Sequence, residues 1–318
     1  MRLMSAAEQP VHLLDASIYI FQAHFSPYVD CVSRRGADLG ALYGFTHFLL
    51  QFARRTRAAH VAVAHDESLF CGFRHQLCPS YKSNRELPDE NLAHQLRGCL
   101  EICAVLGFTA YSSRQFEADD IIGVLAARVR AERAETVIEI VSRDKDLAQL
   151  LAGEQDSLWD YQKNQRRRRN DIRDQLGIQP EQIPDYLGLV GDAVDCISGV
   201  PGVGPVAARE LLQRFDCLED IYARLDEVPD LPIRGARALA GRLRLHGDQA
   251  MLSKRLATIV CDMPGSEEAF AQAGMAALER RDYRADELAV FLKDYAFPTE
   301  ETERLRREAE RAFAPTSA

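Results

Sequence analysis

Short apolar segments that stop at an acid, set between helix-length amphipathic segments, constrain this chain more than any other feature. VHLLD ends at Asp15, HVAVAHD ends at Asp66, and VIEIVS runs on to Asp144. Between them lie DLGALYGFTHFLLQFARRTR, then NLAHQLRGCLEICAVLG, which stops at Gly107, and then FEADDIIGVLAARVRAE. Strands alternating with helices predict right-handed crossovers and an α/β fold, a mostly parallel central sheet covered by helices. Ligands of such sheets bind beyond the carboxyl ends of the strands, which is where these acids fall.

Nine carboxylates form five clusters: Asp15; Asp66; Glu117, Asp119 and Asp120; Asp144 and Asp146; Asp192 and Asp195. Singly, each has an ordinary explanation. Glu117 or Asp120 suits the first turn of a helix, Asp66 suits a turn, and Asp144 suits a helix N-cap. As a set they would repel, since two like charges ~4 Å apart cost about 4 kcal/mol at an effective dielectric near ~20. Oxygen donors without a His or Cys partner suit Mg²⁺ or Mn²⁺. Two such ions serve phosphoryl transfer, activating a water and stabilising the attacking and leaving oxygens.

The formal charge is −9, from 39 basic and 48 acidic residues, so the remainder is balanced once the clustered acids are set aside. That excludes coating of nucleic acid by bulk charge alone and leaves specific contact open. The eight cysteines include no CxxC pair, which argues against zinc and predicts reduced thiols in a cytoplasmic protein. The eight histidines show no ligand spacing. MRLMSAAEQP is too short and polar for a signal peptide. No apolar run approaches the ~18 residues that span a membrane, so no membrane partner is expected.

Between Asp66 and Pro88, Arg74, His75, Lys82 and Arg85 alternate with Phe70, Phe73 and Tyr81. This stretch reads either as a solvated loop or as an arch that grips phosphate, with Arg as a fork, Lys as a point charge and Tyr stacking on a base. From about Gln179 the segments read as helical, with Gly/Pro punctuation. The division expected is 1–178 for the α/β part, with the arch at about 67–88, and 179–318 for a helical part. Within the latter, SGVPGVGPVAARELLQRF reads as a glycine-rich turn entering a helix, part of a hairpin at about 185–215. Such a turn either joins packed helices or lays backbone N–H groups on a phosphate. A basic run, Arg166–Arg169, stands apart from these motifs.

Together, LLDASIYIF, GADLGALYGF, FRHQLCPSYKSNR, FEADDIIG, SRDKDLAQL and GDAVDCISGVPGVGPVAARELL, in that order, resemble the bacterial and phage 5′-nucleases of the flap-endonuclease superfamily. The chain is most similar to the N-terminal 5′–3′ exonuclease domain of DNA polymerase I, over about Val11 to Pro298. The resemblance implies that Asp15, Asp66, Glu117, Asp119 and Asp120 serve mainly a first Mg²⁺ or Mn²⁺, and Asp144, Asp146, Asp192 and Asp195 mainly a second. Lys82 and Arg85 would steer the scissile phosphate, with Tyr81 and Arg74 assisting. Ser198, Gly199, Val200, Gly202, Val203 and Gly204 would bind the duplex backbone, with a K⁺ ion held by carbonyls there. The implied partner is DNA with a 5′ single-strand/double-strand junction, cut by a stand-alone monomeric nuclease in replication or repair.

Four positions depart from that pattern: Gln22 for Arg, Arg143 for Gly, Cys196 for Asn and Val206 for Lys. None removes a carboxylate. The losses at Gln22 and Val206 keep a second reading open, a catalytically weak paralogue that binds DNA junctions. An RNA nuclease of related acidic α/β fold is a further alternative.

Overall fold

The computed structural model describes residues 9–314. Along the chain, β1 (Val11–Asp15) runs straight into α1 (Ala16–His24), followed by α2 (Gly40–Thr56) and β2 (His60–Asp66). Next come α3 (Phe73–Leu77), α4 (Glu90–Val105), β3 (Thr109–Ser113), α5 (Ala118–Glu132) and β4 (Ile138–Val141). A 3₁₀ turn at Asp146–Leu150 precedes β5 (Ser157–Asp160) and β6 (Gln165–Arg167). Beyond them the described chain is helical: α6 (Arg169–Leu176), α7 (Ile183–Val190), α8 (Pro205–Arg214), α9 (Leu218–Ala223), α10 (Ala236–Leu245), α11 (Gly247–Ala257), α12 (Ala285–Asp294) and α13 (Thr299–Ala312).

Contacts group these elements into two compact units. The first holds the residues up to Glu67, Leu87–Ser142 and those from Cys261 on; the second holds Ser68–Glu86 and Arg143–Val260. This grouping differs from a single cut at 178: Ser68–Glu86 and the chain from Arg143 group with the second unit, and the chain from Cys261 returns to the first.

In the first unit, β3, β2, β1 and β4 lie side by side in that order, all parallel. Every residue of β1 is buried, as expected for a strand covered on both faces. α5 packs on β1, β2 and β3. α2 buries Leu42, Phe45, Leu49 and Phe52, a 3–4 spacing that puts them on one face. Each such side chain contributes roughly 1.5–3 kcal/mol by leaving water. α13 packs on α2 and α12 on α4, with Glu308 Oε2 2.6 Å from His47 Nδ1. Gly107, which ends α4, has φ +79°, and a Cβ there would lie 2.3 Å from the Arg281 carbonyl oxygen. Glycine both stops this helix and admits the returning chain.

In the second unit, β5 and β6 form an antiparallel pair, and α7 packs on α8 and α11. Asp185, buried on α7, accepts from the Leu218 N–H at 2.7 Å and sits 2.7 Å from Lys254 Nζ on α11. That ion pair ties the helices around a charge too costly to bury alone.

Candidate functional site

The acids of the first unit stand at the carboxyl edge of its sheet. Asp15 ends β1 in register with Ala64, two residues before Asp66 ends β2, so the two acids share a face by strand alternation. Asp15 is buried; it caps α1 by accepting from the Ser17 N–H at 3.1 Å, and Ser142 Oγ donates to its other oxygen at 2.8 Å. Glu117 is the N-cap of α5, and Asp120 accepts from the Glu117 N–H at 3.0 Å, forming a reciprocal capping box. Glu117 and Asp120 are buried, while Asp119 between them is partly exposed. First-turn acids on this helix therefore cap it and also bring negative charge to the edge where Asp15 and Asp66 end their strands.

The second unit holds the other four acids, interleaved with cations. Asp144 Oδ1 accepts from the Asp146 N–H at 2.9 Å, and Asp192 Oδ1 accepts from the Val194 N–H at 2.7 Å. Lys145 Nζ lies 3.6 Å from Asp192 Oδ2. Lys82 Nζ is 3.7 Å and an Arg85 guanidinium nitrogen 3.5 Å from the two oxygens of Asp195. Burial, then the charge of Asp144, pushes Asp146 up to about 7, against the pull of Lys145; Asp192 and Asp195 add to the rise. Asp144, Asp192 and Asp195 all bear on Asp146 in this way.

The stretch expected as an arch is ordered along this cluster. Lys82, at φ 48°, donates its backbone N–H to the Asp195 carbonyl at 3.0 Å, and Asn84 Nδ2 donates to the Val194 carbonyl at 3.1 Å. Tyr81 is buried against Ile197 and Leu256, which leaves no open ring face for the base stacking that the composition of the stretch suggests. Arg74 is buried too; its guanidinium donates to the carbonyls of Leu256 and Thr258, each at 2.8 Å. Carbonyls at the C-terminal end of α11 engage this fork, so Arg74 fastens the segment that carries Lys82.

α7 and α8 form a helical hairpin around the 191–204 loop. Gly191 and Gly199 have φ +78° and +63°, and a Cβ on Gly199 would lie 2.3 Å from the Gly191 nitrogen. Asp192 and Ile197 exchange backbone hydrogen bonds of 2.8 and 2.7 Å across the loop, which turns Asp192 and Asp195 toward Lys145 and Lys82. Of the six residues expected to meet DNA, Ser198, Gly202 and Gly204 are exposed, while Gly199, Val200 and Val203 are buried. The N–H of Val200 is bonded to Leu189 and that of Val203 to Val200.

Among the described residues no three His, Cys, Asp or Glu side chains gather closely enough to hold an ion as they stand. The donor chemistry nonetheless fits a hard cation: the acids are oxygen-only ligands in excess negative charge, and Asp146 registers their repulsion.

Residues 10–177 match the 5′–3′ exonuclease N-terminal resolvase-like domain, and residues 178–279 match the 5′–3′ exonuclease C-terminal SAM fold. The chain belongs to the 5′–3′ exonuclease family. A 5′–3′ exonuclease of Buchnera aphidicola (subspecies Acyrthosiphon pisum) is 30% identical over 255 residues, covering 80% of this chain and 88% of that protein. DNA polymerase I of Pseudomonas aeruginosa is 36% identical over 258 residues, 81% of this chain but only 28% of the polymerase. The chain thus spans less than a third of that polymerase. The fold is shared with the bacteriophage T5 flap endonuclease solved with DNA and metal ions, at TM-score 0.61 and 17% identity, over 95% of this chain and all of that one.

In this exonuclease-family chain the four departures have distinct settings. Gln22 lies on α1, and its buried Oε1 has no hydrogen-bond partner. Arg143 Nε lies 3.7 Å from Asp160 Oδ2. Cys196 has φ 58°, a left-handed conformation that Asn tolerates better than Cys. Val206 is exposed in the first turn of α8. Sequence reasoning passed over Lys145, Asn84 and Ser142. Lys145 was visible as the cation between two acids in SRDKDLAQL; the other two are polar residues that only the folded partner distinguishes. Among the described residues, no helix is long and apolar enough to cross a membrane.

Proposed function

We propose that this chain is a Mg²⁺- or Mn²⁺-dependent nuclease that hydrolyses DNA near a 5′ single-strand/double-strand junction, leaving 5′-phosphate and 3′-hydroxyl ends. The observation that carries this is the convergence of Lys82 and Arg85 on Asp195, beside Asp192, Asp144 and Asp146, in one patch of one unit. Cations suited to phosphate and carboxylates suited to a hard cation are there side by side.

In this reading Asp144, Asp146, Asp192 and Asp195 hold one ion, and Asp15, Asp66, Glu117, Asp119 and Asp120 hold the other. Bound, such a pair supplies a water of lowered pKa and neutralises charge on the departing 3′ oxygen. Lys82 places a point charge, and Arg85 a fork, on the scissile phosphate oxygens. Ser142 orients the Asp15 carboxylate through its hydrogen bond. The exposed backbone of Ser198, Gly202 and Gly204, with the start of α8, lies on duplex phosphates and positions the junction without reading bases; a K⁺ ion in the loop would join that contact. The setting proposed is a cytoplasmic monomer acting in replication or repair.

An end-labelled 5′-flap duplex tests this reading. Cleavage near the junction with Mg²⁺ or Mn²⁺, and none with EDTA, is expected. Exposed Val206, where a cation would have met phosphate, favours the second reading, a junction-binding protein without chemistry. Binding with no product from flap, overhang or nicked duplex in saturating Mn²⁺ would establish that reading instead.

A further inference from the structure

The basic run Arg166–Arg169 plays no part in the site so far described. It lies on the β5–β6 hairpin of the second unit and in the turn into α6. From Gln162 to Arg169 the chain carries five cations, Lys163 and Arg166–Arg169, and no acid, in a protein whose net charge is −9. Two of the five have structural work. The Arg166 guanidinium lies 3.8 Å over the ring of buried Trp159, and Arg169 binds the Leu151 carbonyl and Glu181. Lys163 and Arg168 are exposed and Arg167 is partly so.

The surface does not end at the hairpin. Asp160, which closes β5, pairs with both Lys163 Nζ (3.9 Å) and Arg143 Nε (3.7 Å). One carboxylate between two cations leaves net positive charge, and Arg143 precedes Asp144 directly in the chain. Fixed positive charge therefore gathers around Asp160 at Arg143 and Lys163, next in sequence to Asp144, and the same hairpin carries Arg167 and Arg168 at its end. Arginine forks on a short antiparallel pair suit phosphate oxygens, and they carry no base readout.

We propose that the β5–β6 hairpin is a second contact for the phosphodiester backbone of DNA, with Lys163, Arg167 and Arg168 as its binding residues and Arg143 linking it to the acid cluster. This rests on the proposed DNA substrate and adds a surface to it, distinct from Lys82, Arg85 and the 191–204 loop.

The test is the salt dependence of binding to a 5′-flap duplex in EDTA, for the intact chain, for the Lys163→Ala/Arg167→Ala/Arg168→Ala variant and for a control with Arg167→Lys and Arg168→Lys. Losing three phosphate contacts lowers the slope of log K against log salt by about 2–3. The alanine variant should show that loss with an unchanged melting temperature, while the lysine control keeps the parental slope. An alanine variant with the parental slope overturns the hairpin contact and leaves the DNA reading intact. A parent that fails to bind DNA overturns both.

Discussion

Lys82 meets Asp195 twice. Its backbone N–H donates to the Asp195 carbonyl at 3.0 Å, and its ammonium lies 3.7 Å from the same residue's carboxylate. The left-handed backbone at Lys82 makes the double contact possible, since it turns the chain so that amide and side chain face one residue. Two segments 110 residues apart in sequence, one basic and one acidic, are thereby locked in register, with Asn84 on Val194 completing the lock.

If this lock presents Lys82 and Arg85 to phosphate, removing either cation should cost turnover more than folding. Lys82→Ala is expected to lower kcat on a 5′-flap duplex by roughly 10²–10³, the usual loss for one preorganised charge-stabilising donor. Thermal stability of Arg85→Ala should change little, because pairs as exposed as Arg85–Asp195 contribute about 0–1 kcal/mol. Single-turnover kinetics with a melting curve on each variant check this; a lost fold with normal turnover per folded molecule contradicts it.

Asp146 gives a stability prediction for protein in EDTA. Burial and the neighbouring acids push it up from the ordinary carboxylate value of 3.8 to about 7 in the folded chain. Between those values the folded state holds the proton more tightly, so stability falls as pH rises through the window. Asp146→Asn removes the buried charge and should stabilise the chain at pH 8 by roughly 1–3 kcal/mol. Urea unfolding at pH 5 and pH 8 measures it, and a variant with the parental pH slope would refute the assignment.

His65 acts with the opposite sign. Buried on β2 against Phe45, with Cys103 Sγ 3.6 Å from Nε2, it is pulled down by desolvation to about 4. The unfolded chain, titrating near 6.5, binds the extra proton between those values. The stabilising contribution is thus fully present above pH 6.5 and is lost as pH falls toward 4. His65→Leu should flatten the stability profile across that window, whatever it does to absolute stability.

Cys196 carries φ 58° beside Asp195. An L-residue other than Gly, Asn or Asp is penalised there by roughly 1–2 kcal/mol. Cys196→Asn should therefore raise stability by about 0.5–1 kcal/mol in denaturant unfolding, an effect within the range of turn-residue replacements. A destabilised Asn variant would mean that the thiol's packing outweighs its backbone cost.

How far the sequence reveals this structure depends on how local each signal is. β1, β2 and the three long helices of the first unit carry their own periodicity and were legible. β3 (TAYSS) was not, because its residues are mostly half-buried and polar. α1 was hidden because Asp15 both closes β1 and caps the helix, leaving no punctuation between them. Asp144 suits a helix N-cap, yet only a 3₁₀ turn follows it, ending with the Leu151 N–H on the Ala148 carbonyl. The acids were visible one by one; that Asp192 and Asp195 come to bear on Asp146 depends on the two loop glycines that bring the 191–199 turn back on itself. The burial of Arg74 and Tyr81 needed partners, Leu256 and Thr258, that lie more than 170 residues on in the chain. The return of α12 and α13 to the first unit is equally non-local, as is the grouping of Ser68–Glu86 with the chain from Arg143 to Val260, so no linear cut follows the compact units.

The central claim is tested most directly by cleavage of an end-labelled 5′-flap duplex by Asp144→Ala/Asp146→Ala protein, with binding measured alongside. The account predicts flap binding near the parental level and no Mg²⁺- or Mn²⁺-dependent product. Undiminished metal-dependent cleavage by the folded double variant would contradict it.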